Sequence, residues 1–406
     1  MKKGIVRSIS LLLVVSVISV LLFACNSANM TLVNQNQPSA APSSTAVPSS
    51  TAVQSTDGKA AAEVKPTSTT ESLNVNQKRI KAKGLYLTGS SAASRLDHYI
   101  ELANTTEINS YVIDVKDDYG IVSYDSKVPL ASEIGAIEKL FDVDKVIKKL
   151  HDNNIYAIAR IVCFKDPILA KAKPEMAIKS PGGGLYVHNK MNWVNPYNKD
   201  AWQYNIDLAK EVLAKGFDEV QFDYIRFPDG KKSQMVFDGK DDRELYEVIN
   251  DYLAYARKEL PNAIISGDVF AIILESPGDT EGIGQYFEHV GENLDYLCPM
   301  AYPSHYANGQ IINNVKFPKP DLDPYGVIKN TLLKAKARYE KVEGQKPILR
   351  TFLQDFTATW IGSGNWQYYE DAQVRQQIQA VYDAGYEEWF LWDPMNKYRE
   401  GAFKKE

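Results

Sequence analysis

The stretch GFDEVQFDYIRFPDG, residues 216–230, begins as a buried strand and ends crowded with ionisable groups. Its V-Q-F-D-Y-I centre is apolar enough to be covered on both faces, yet Asp223, Tyr224, Arg226 and Asp229 fall within a few residues of one another. A carboxylate in such a run is costly unless it is paired or used. An α/β barrel resolves the conflict, because the carboxyl ends of its strands open on a solvent-filled cleft while the rest of each strand stays in the core.

Seven further runs of the same kind surround it: GLYLT (84–88), SYVIDV (110–115), IYAIARIV (155–162), AIISGDVF (263–270), LDYLCPM (294–300), PILRTFL (347–353) and EEWFLW (387–392), with EVQFDYI (219–225) as the fourth in order. Near-continuous apolar strands are what a parallel sheet covered on both faces requires. Amphipathic stretches lie between them, such as DVDKVIKKLHDNN and DAWQYNIDLAKEVLAKG; the second offers Asp200 as N-cap and Gly216 as its stop. Eight strand–helix units predict an α/β fold, a (β/α)8 TIM-type barrel forming a single domain over residues 77–406. The alternative, a doubly wound sheet, would hold unusually many strands, and no Gly-x-Gly-x-x-Gly follows the first of them.

Upstream, the chain reads differently. MKKGIVRSIS supplies two lysines and an arginine, and the apolar run LLLVVSVISVLLFAC ends at a cysteine, the pattern of an export signal over residues 1–25. Leu22-Phe23-Ala24-Cys25 resembles a lipobox, in which the cysteine becomes a lipidated N-terminus. Phe23 is bulky for that position, so a cleaved secretory signal and an uncleaved anchor stay as alternatives. Residues 26–76 are Ser, Thr, Ala, Pro and Gln with few large apolar groups, too little to offset the entropy of ordering, and read as a disordered tether. The expectation is an extracytoplasmic protein anchored to the cell membrane by lipid on Cys25.

The net charge of −5 supplies no basic footprint for nucleic acid. Of the three cysteines, Cys163 and Cys298 sit in apolar runs and read as buried free thiols. Without Cys-x-x-Cys or His-x-x-x-His spacing, no metal and no cofactor is expected. The barrel is expected to be a monomer.

Collecting the strand ends assembles Asp114, Lys116 and Asp117 after the second strand, Arg160 from the third, Asp223 and Arg226 from the fourth and Asp268 from the fifth. Tyr302, His305 and Tyr306 follow the sixth, Trp392 and Asp393 the eighth. Carboxylates and aromatic rings on one rim suit glycoside hydrolysis, which needs two carboxyl groups across the scissile bond, one donating a proton and one attacking or activating water. Each residue also has a structural reading: Asp114 could pair with Lys116, and Asp268 could serve a turn after Gly267. Trp193, Trp202, Trp360 and Trp366 lie in or near long loops, where they either bind glycan or pack the loops down.

These residues carry a resemblance. YVIDVKDDYGIVSY, VQFDYIRFP, ISGDVFAI, IGQYFEHVGENLDYLCPMAYPSHY and WFLWDP are similar, in the same order, to the bacterial glycosyl hydrolase family first known as domain of unknown function 4015. The resemblance implies a TIM-type barrel, a hydrolytic site and, among its patterned positions, Asp114, Lys116, Asp223, Arg226, Asp268, Tyr302, His305 and Asp393. Against chitinase-type barrels, residues 218–225 keep the third aspartate of D-G-x-D-x-D-x-E as Asp223 but place Ile225 at the acid's position. Amylase-like barrels take a nucleophile from strand four and an acid from strand five, and Asp223 and Asp268 occupy those places in chain order. The expectation is therefore hydrolysis of a cell-wall or exopolysaccharide glycan, with Asp223 as nucleophile or base, Asp268 as acid, Arg226 and Lys116 as charge partners, and Tyr302, His305 and Trp392 as sugar contacts. The competing reading is a non-catalytic glycan-binding surface lipoprotein.

If Cys25 carries the anchor, Cys25→Ser should leave an unprocessed precursor or release the protein from the membrane. Mass analysis of the mature chain from its native host checks this, and a mature chain without lipid at residue 25 contradicts it.

Overall fold

The computed structural model describes residues 79–405; the expected signal, Cys25 and the tether lie outside the described residues. Eight strands form the barrel: β1 Lys83–Leu87, β2 Ser110–Lys116, β3 Tyr156–Val162, β4 Glu219–Asp223, β5 Ile265–Phe270, β6 Tyr296–Ala301, β7 in two pieces (Ile348–Leu349 and Thr351–Gln354), and β8 Trp389–Trp392. Every neighbouring pair is parallel, and β8 returns to β1 through Lys83↔Trp389, Gly84↔Phe390 and Leu85↔Leu391, so no edge is left unpaired.

The helices Leu96–Thr105, Val143–Asp152, Lys199–Ala214, Leu245–Glu259, Phe287–Val290, Pro324–Tyr339 and Asp371–Asp383 alternate with the strands, and a single 3-10 turn, Glu400–Ala402, follows the last strand. The third of these is capped two residues before the expected position: Asn198, whose side chain accepts from the Ala201 amide at 2.8 Å, is the N-cap, and Asp200 lies in the first turn instead. Both residue types cap well, and Asn198 comes first. Gly216, at φ +100°, lies just past the helix end.

Strand alternation sorts the core into two sets. Outward residues such as Leu85, Tyr111, Ile113, Ala159 and Phe222 pack against the helices, whereas Tyr86, Val112, Ile158, Cys298, Phe352 and Phe390 fill the barrel interior. Cys163 and Cys298 are free and buried. One irregularity matters for the site: Asp114 pairs with Arg160 but Lys116 pairs with Ile161, so β2 carries a bulge between them and Lys116 faces the helices.

The amino-terminal end of the barrel interior holds an unexpected ion cluster. Arg350, at the break in β7, is fully buried and donates to both carboxylate oxygens of Glu219 at 2.9 Å and to Glu388 at 2.8 Å, with its guanidinium 3.5 Å from the Tyr296 ring centre. Ser266 and Tyr156 complete the acceptor capacity of Glu219. Removing one member of such a cluster strands the others' charge in the interior.

Arg350→Met should therefore cost about 3–5 kcal/mol, read as a fall in the urea midpoint. Combining it with Glu219→Gln and Glu388→Gln should recover much of that loss. An unchanged midpoint in the single variant would show that the cluster is not coupled to folding.

Candidate active site

At the carboxyl ends of the strands lies a cavity of about 520 Å³, a size typical of small-ligand sites. Its polar side is organised by one guanidinium. Arg160, 7% exposed, donates from Nη1 to Asp114 Oδ1 at 2.6 Å, from Nη2 to Asp118 Oδ1 at 2.9 Å and from Nε to Asp223 Oδ2 at 2.9 Å. A planar fork of five donors suits this three-way sharing, which an ammonium could not reproduce. Asp268 stands apart. Its Oδ2 is 4.0 Å from Arg160 Nε, beyond a hydrogen bond, and its Oδ1 has no hydrogen-bond partner among the described residues.

The protonation pattern follows from this sharing. Burial, then the neighbouring Asp223 charge, pushes the Asp268 carboxyl well above the usual carboxylate range, and Arg160 offsets this only in part. Asp114, behind Arg160 and bonded by the Tyr86 hydroxyl, is pushed up to about 6 by burial against the pull of Arg160. Burial opposes ionisation at Asp118 too, but Arg160 and Lys165, whose Nζ is 2.8 Å from Asp118 Oδ2, outweigh it and hold that carboxyl well below the usual range. The site thus sets a carboxyl whose neutral form burial favours beside carboxyl groups that Arg160 binds directly.

The other side is aromatic. Tyr302 and Trp392 stack with ring centres 5.6 Å apart, and Tyr224, Phe270, Met300 and Phe352 continue the lining. Burial pushes His305 down to about 4, so the ring that faces the cavity is neutral imidazole above that pH. Tyr224 sits at φ +50°, uncommon for a side chain of that size, and its amide donates to Asp223 Oδ1. The turn fixes one carboxylate oxygen while Arg160 fixes the other.

A family described as "Putative glycosyl hydrolase domain", DUF4015, matches residues 84–398. The chain belongs to this glycosyl hydrolase family. A hypothetical protein from Ruminiclostridium thermocellum ATCC 27405 is 54% identical across 46% of this chain and 97% of its own, with a TM-score of 0.43. The glycoside hydrolase domain of PgaB (BpsB) from Bordetella bronchiseptica matches at 12% identity, 77% of this chain and 94% of its own, with a TM-score of 0.53, a likeness of barrel fold. No curated protein matches the sequence.

In this glycosyl hydrolase, Arg160, Asp223, Asp268, Tyr302, His305, Tyr306 and Trp392 line the cavity, and Tyr306 also bonds Thr331 at 3.0 Å. Five expected site residues do not. Asp114 lies behind the wall, accepting from Arg160 Nη1 at 2.6 Å, and the other four serve elsewhere. Lys116 is fully buried on the helix side, 2.7 Å from Asp166 and 3.0 Å from Asn205, because the β2 bulge turns it outward. Asp117 and Asp393 each close a turn: Asp117 Oδ1 accepts from the amides of Tyr119 and Ile121, and Asp393 Oδ1 from those of Met395 and Lys397. Arg226 does not pair with Asp223; it bonds the Phe227 carbonyl at 3.0 Å and lies over the Phe270 ring at 4.3 Å, bracing the loop after β4.

Sequence reasoning missed Asp118, Tyr86 and Phe270, which do line the cavity, and noted Asp229 and Tyr224 without placing them in the site, which both line. Asp118 is hidden in a doublet with Asp117, and only the turn decides which of the two faces inward. Among the described residues no cluster of His, Cys, Asp or Glu is placed to hold a metal ion.

The raised Asp268 carboxyl has a stability consequence with a definite sign. Above the unfolded-state value near 4 the unfolded chain sheds this proton while the native site retains it, so stability falls as pH rises towards the native value. Asp268→Asn, always neutral, should flatten that slope and gain on wild type in urea melts as pH rises above about 4. Parallel pH profiles for the two proteins would contradict the assignment of the proton.

Proposed function

We propose that the protein is an extracytoplasmic glycoside hydrolase, tethered by lipid on Cys25, that cleaves a cell-wall or exopolysaccharide glycan with Asp268 as general acid and Asp223 as nucleophile or base. The observation that carries this reading is the asymmetry of two neighbouring carboxyl groups: Asp223 bonded on both oxygens, Asp268 buried, outside hydrogen-bonding reach of Arg160 and pushed by burial towards its neutral form.

The chemistry follows from those states. The Asp268 proton passes to the glycosidic oxygen as the bond to the anomeric carbon breaks, and the leaving sugar departs as an alcohol. The Asp223 carboxylate meets the positive charge that develops on the ring, either by attacking the anomeric carbon or by taking a proton from the attacking water. Both Oδ2 atoms lie within 4.0 Å of one Arg160 nitrogen. Tyr302 and Trp392 supply faces for the apolar side of a pyranose ring. His305, neutral above about pH 4, contributes hydrogen bonding and no charge at neutral pH.

The test is a product screen of the full chain against peptidoglycan, chitin-like, glucan and galactosamine-containing polymers, each paired with Asp223→Asn and Asp268→Asn. Wild type should release oligosaccharides or reducing ends, each variant should lose about a hundredfold or more, and binding should largely survive. Wild-type kcat/KM should fall as pH rises through the raised Asp268 value. Glycan bound but never cut, equally well by all three proteins, would make the protein a glycan receptor instead.

A further inference from the structure

We propose that Trp360 is an outer sugar platform, so that the substrate is a glycan chain that leaves the cavity across the loop between β7 and the helix Asp371–Asp383. This inference rests on the glycoside hydrolase reading and extends it from a bond to a polymer.

Trp360 lies in the 3-10 turn Thr359–Ile361 and is 51% exposed. One face of its indole stacks on Phe356, with ring centres 5.7 Å apart and planes 16° from parallel. Phe356 is buried, and its ring meets Trp392 edge-on at 5.4 Å and Tyr302 at 5.7 Å. Trp392 and Tyr302 line the cavity. An unbroken series of ring contacts therefore runs from the cavity wall to an indole half open to water. A single exposed apolar side chain needs no explanation; one joined ring by ring to a sugar-binding wall does.

The loop that carries Trp360 is braced. Asp321, 1% exposed, accepts from the Gln354 side chain at 3.0 Å and the Gln367 amide at 3.2 Å. The Tyr369 amide donates to Thr357 Oγ1 at 3.0 Å, and Lys319 Nζ donates to the Gly364 carbonyl at 2.7 Å. A platform held this way loses little freedom when a ligand settles on it. If Trp360 served only to cover Phe356, an aliphatic side chain of moderate size would suffice. The flat indole leaves a second face of the kind that pyranose rings stack on.

The experiment measures binding by the full chain carrying Asp268→Asn, which stops turnover under the reading above, with chitohexaose and laminarihexaose as long probes and chitobiose and laminaribiose as short ones. Adding Trp360→Ala should weaken the bound hexaose by about tenfold, the loss of one well-packed aromatic contact, and leave the matching biose within about twofold. Trp360→Tyr should restore most of the hexaose affinity. Hexaose affinity unchanged by Trp360→Ala overturns the platform and leaves the hydrolase reading intact. Equal weakening of hexaose and biose also overturns it, since Trp360 would then only be supporting Phe356. If neither hexaose nor any polymer of the product screen binds, the platform and the glycan reading fall together.

Discussion

The site depends on a single buried guanidinium. Arg160 is taken out of water at a desolvation cost of several kcal/mol, which only a full set of acceptors offsets, and Asp114, Asp118 and Asp223 provide that set from two strands and the turn after β2. Because the donors are rigid and coplanar, the acids that accept from them are fixed relative to one another. Asp268 is the neighbour outside hydrogen-bonding reach, so burial and Asp223 raise its carboxyl with only partial relief from Arg160.

The barrel contains a second arginine-centred cluster at its opposite end, and comparing the two explains what each does. Arg350 meets Glu219 and Glu388 at the amino-terminal end of the barrel interior, and its work is to join three strands. Arg160 meets its carboxylates where the strands run out and the loops leave room for a ligand. The chemistry of the residues is alike; position along the strand separates structural from functional use.

The fold was legible because parallel strands covered on both faces read as apolar runs, and all eight runs became barrel strands. The site was legible in part. Strand ends pointed to Asp223, Asp268, Arg160 and Trp392, which share the cavity. Lys116 misled because i, i+2 spacing implies one face only in a regular strand. Asp117 and Asp393 misled because a turn-closing aspartate and a functional one look identical in sequence, and both accept from amides two and four residues on. The Arg350 cluster went unread although its members stand in the runs PILRTFL, EVQFDYI and EEWFLW, since only barrel closure brings the three charges together.

The bulge in β2 reaches beyond geometry. Had the strand run on regularly, Lys116 would have followed Asp114 onto the inner face, beside Arg160 and within the field of Asp268. A second cation there would favour the ionised form of Asp268 and oppose the upward push of burial on its carboxyl. Turned outward, Lys116 spends its charge on Asp166 in the helix layer. One extra residue in a strand thus keeps a cation out of the cavity, and a backbone irregularity becomes part of the electrostatics of the site.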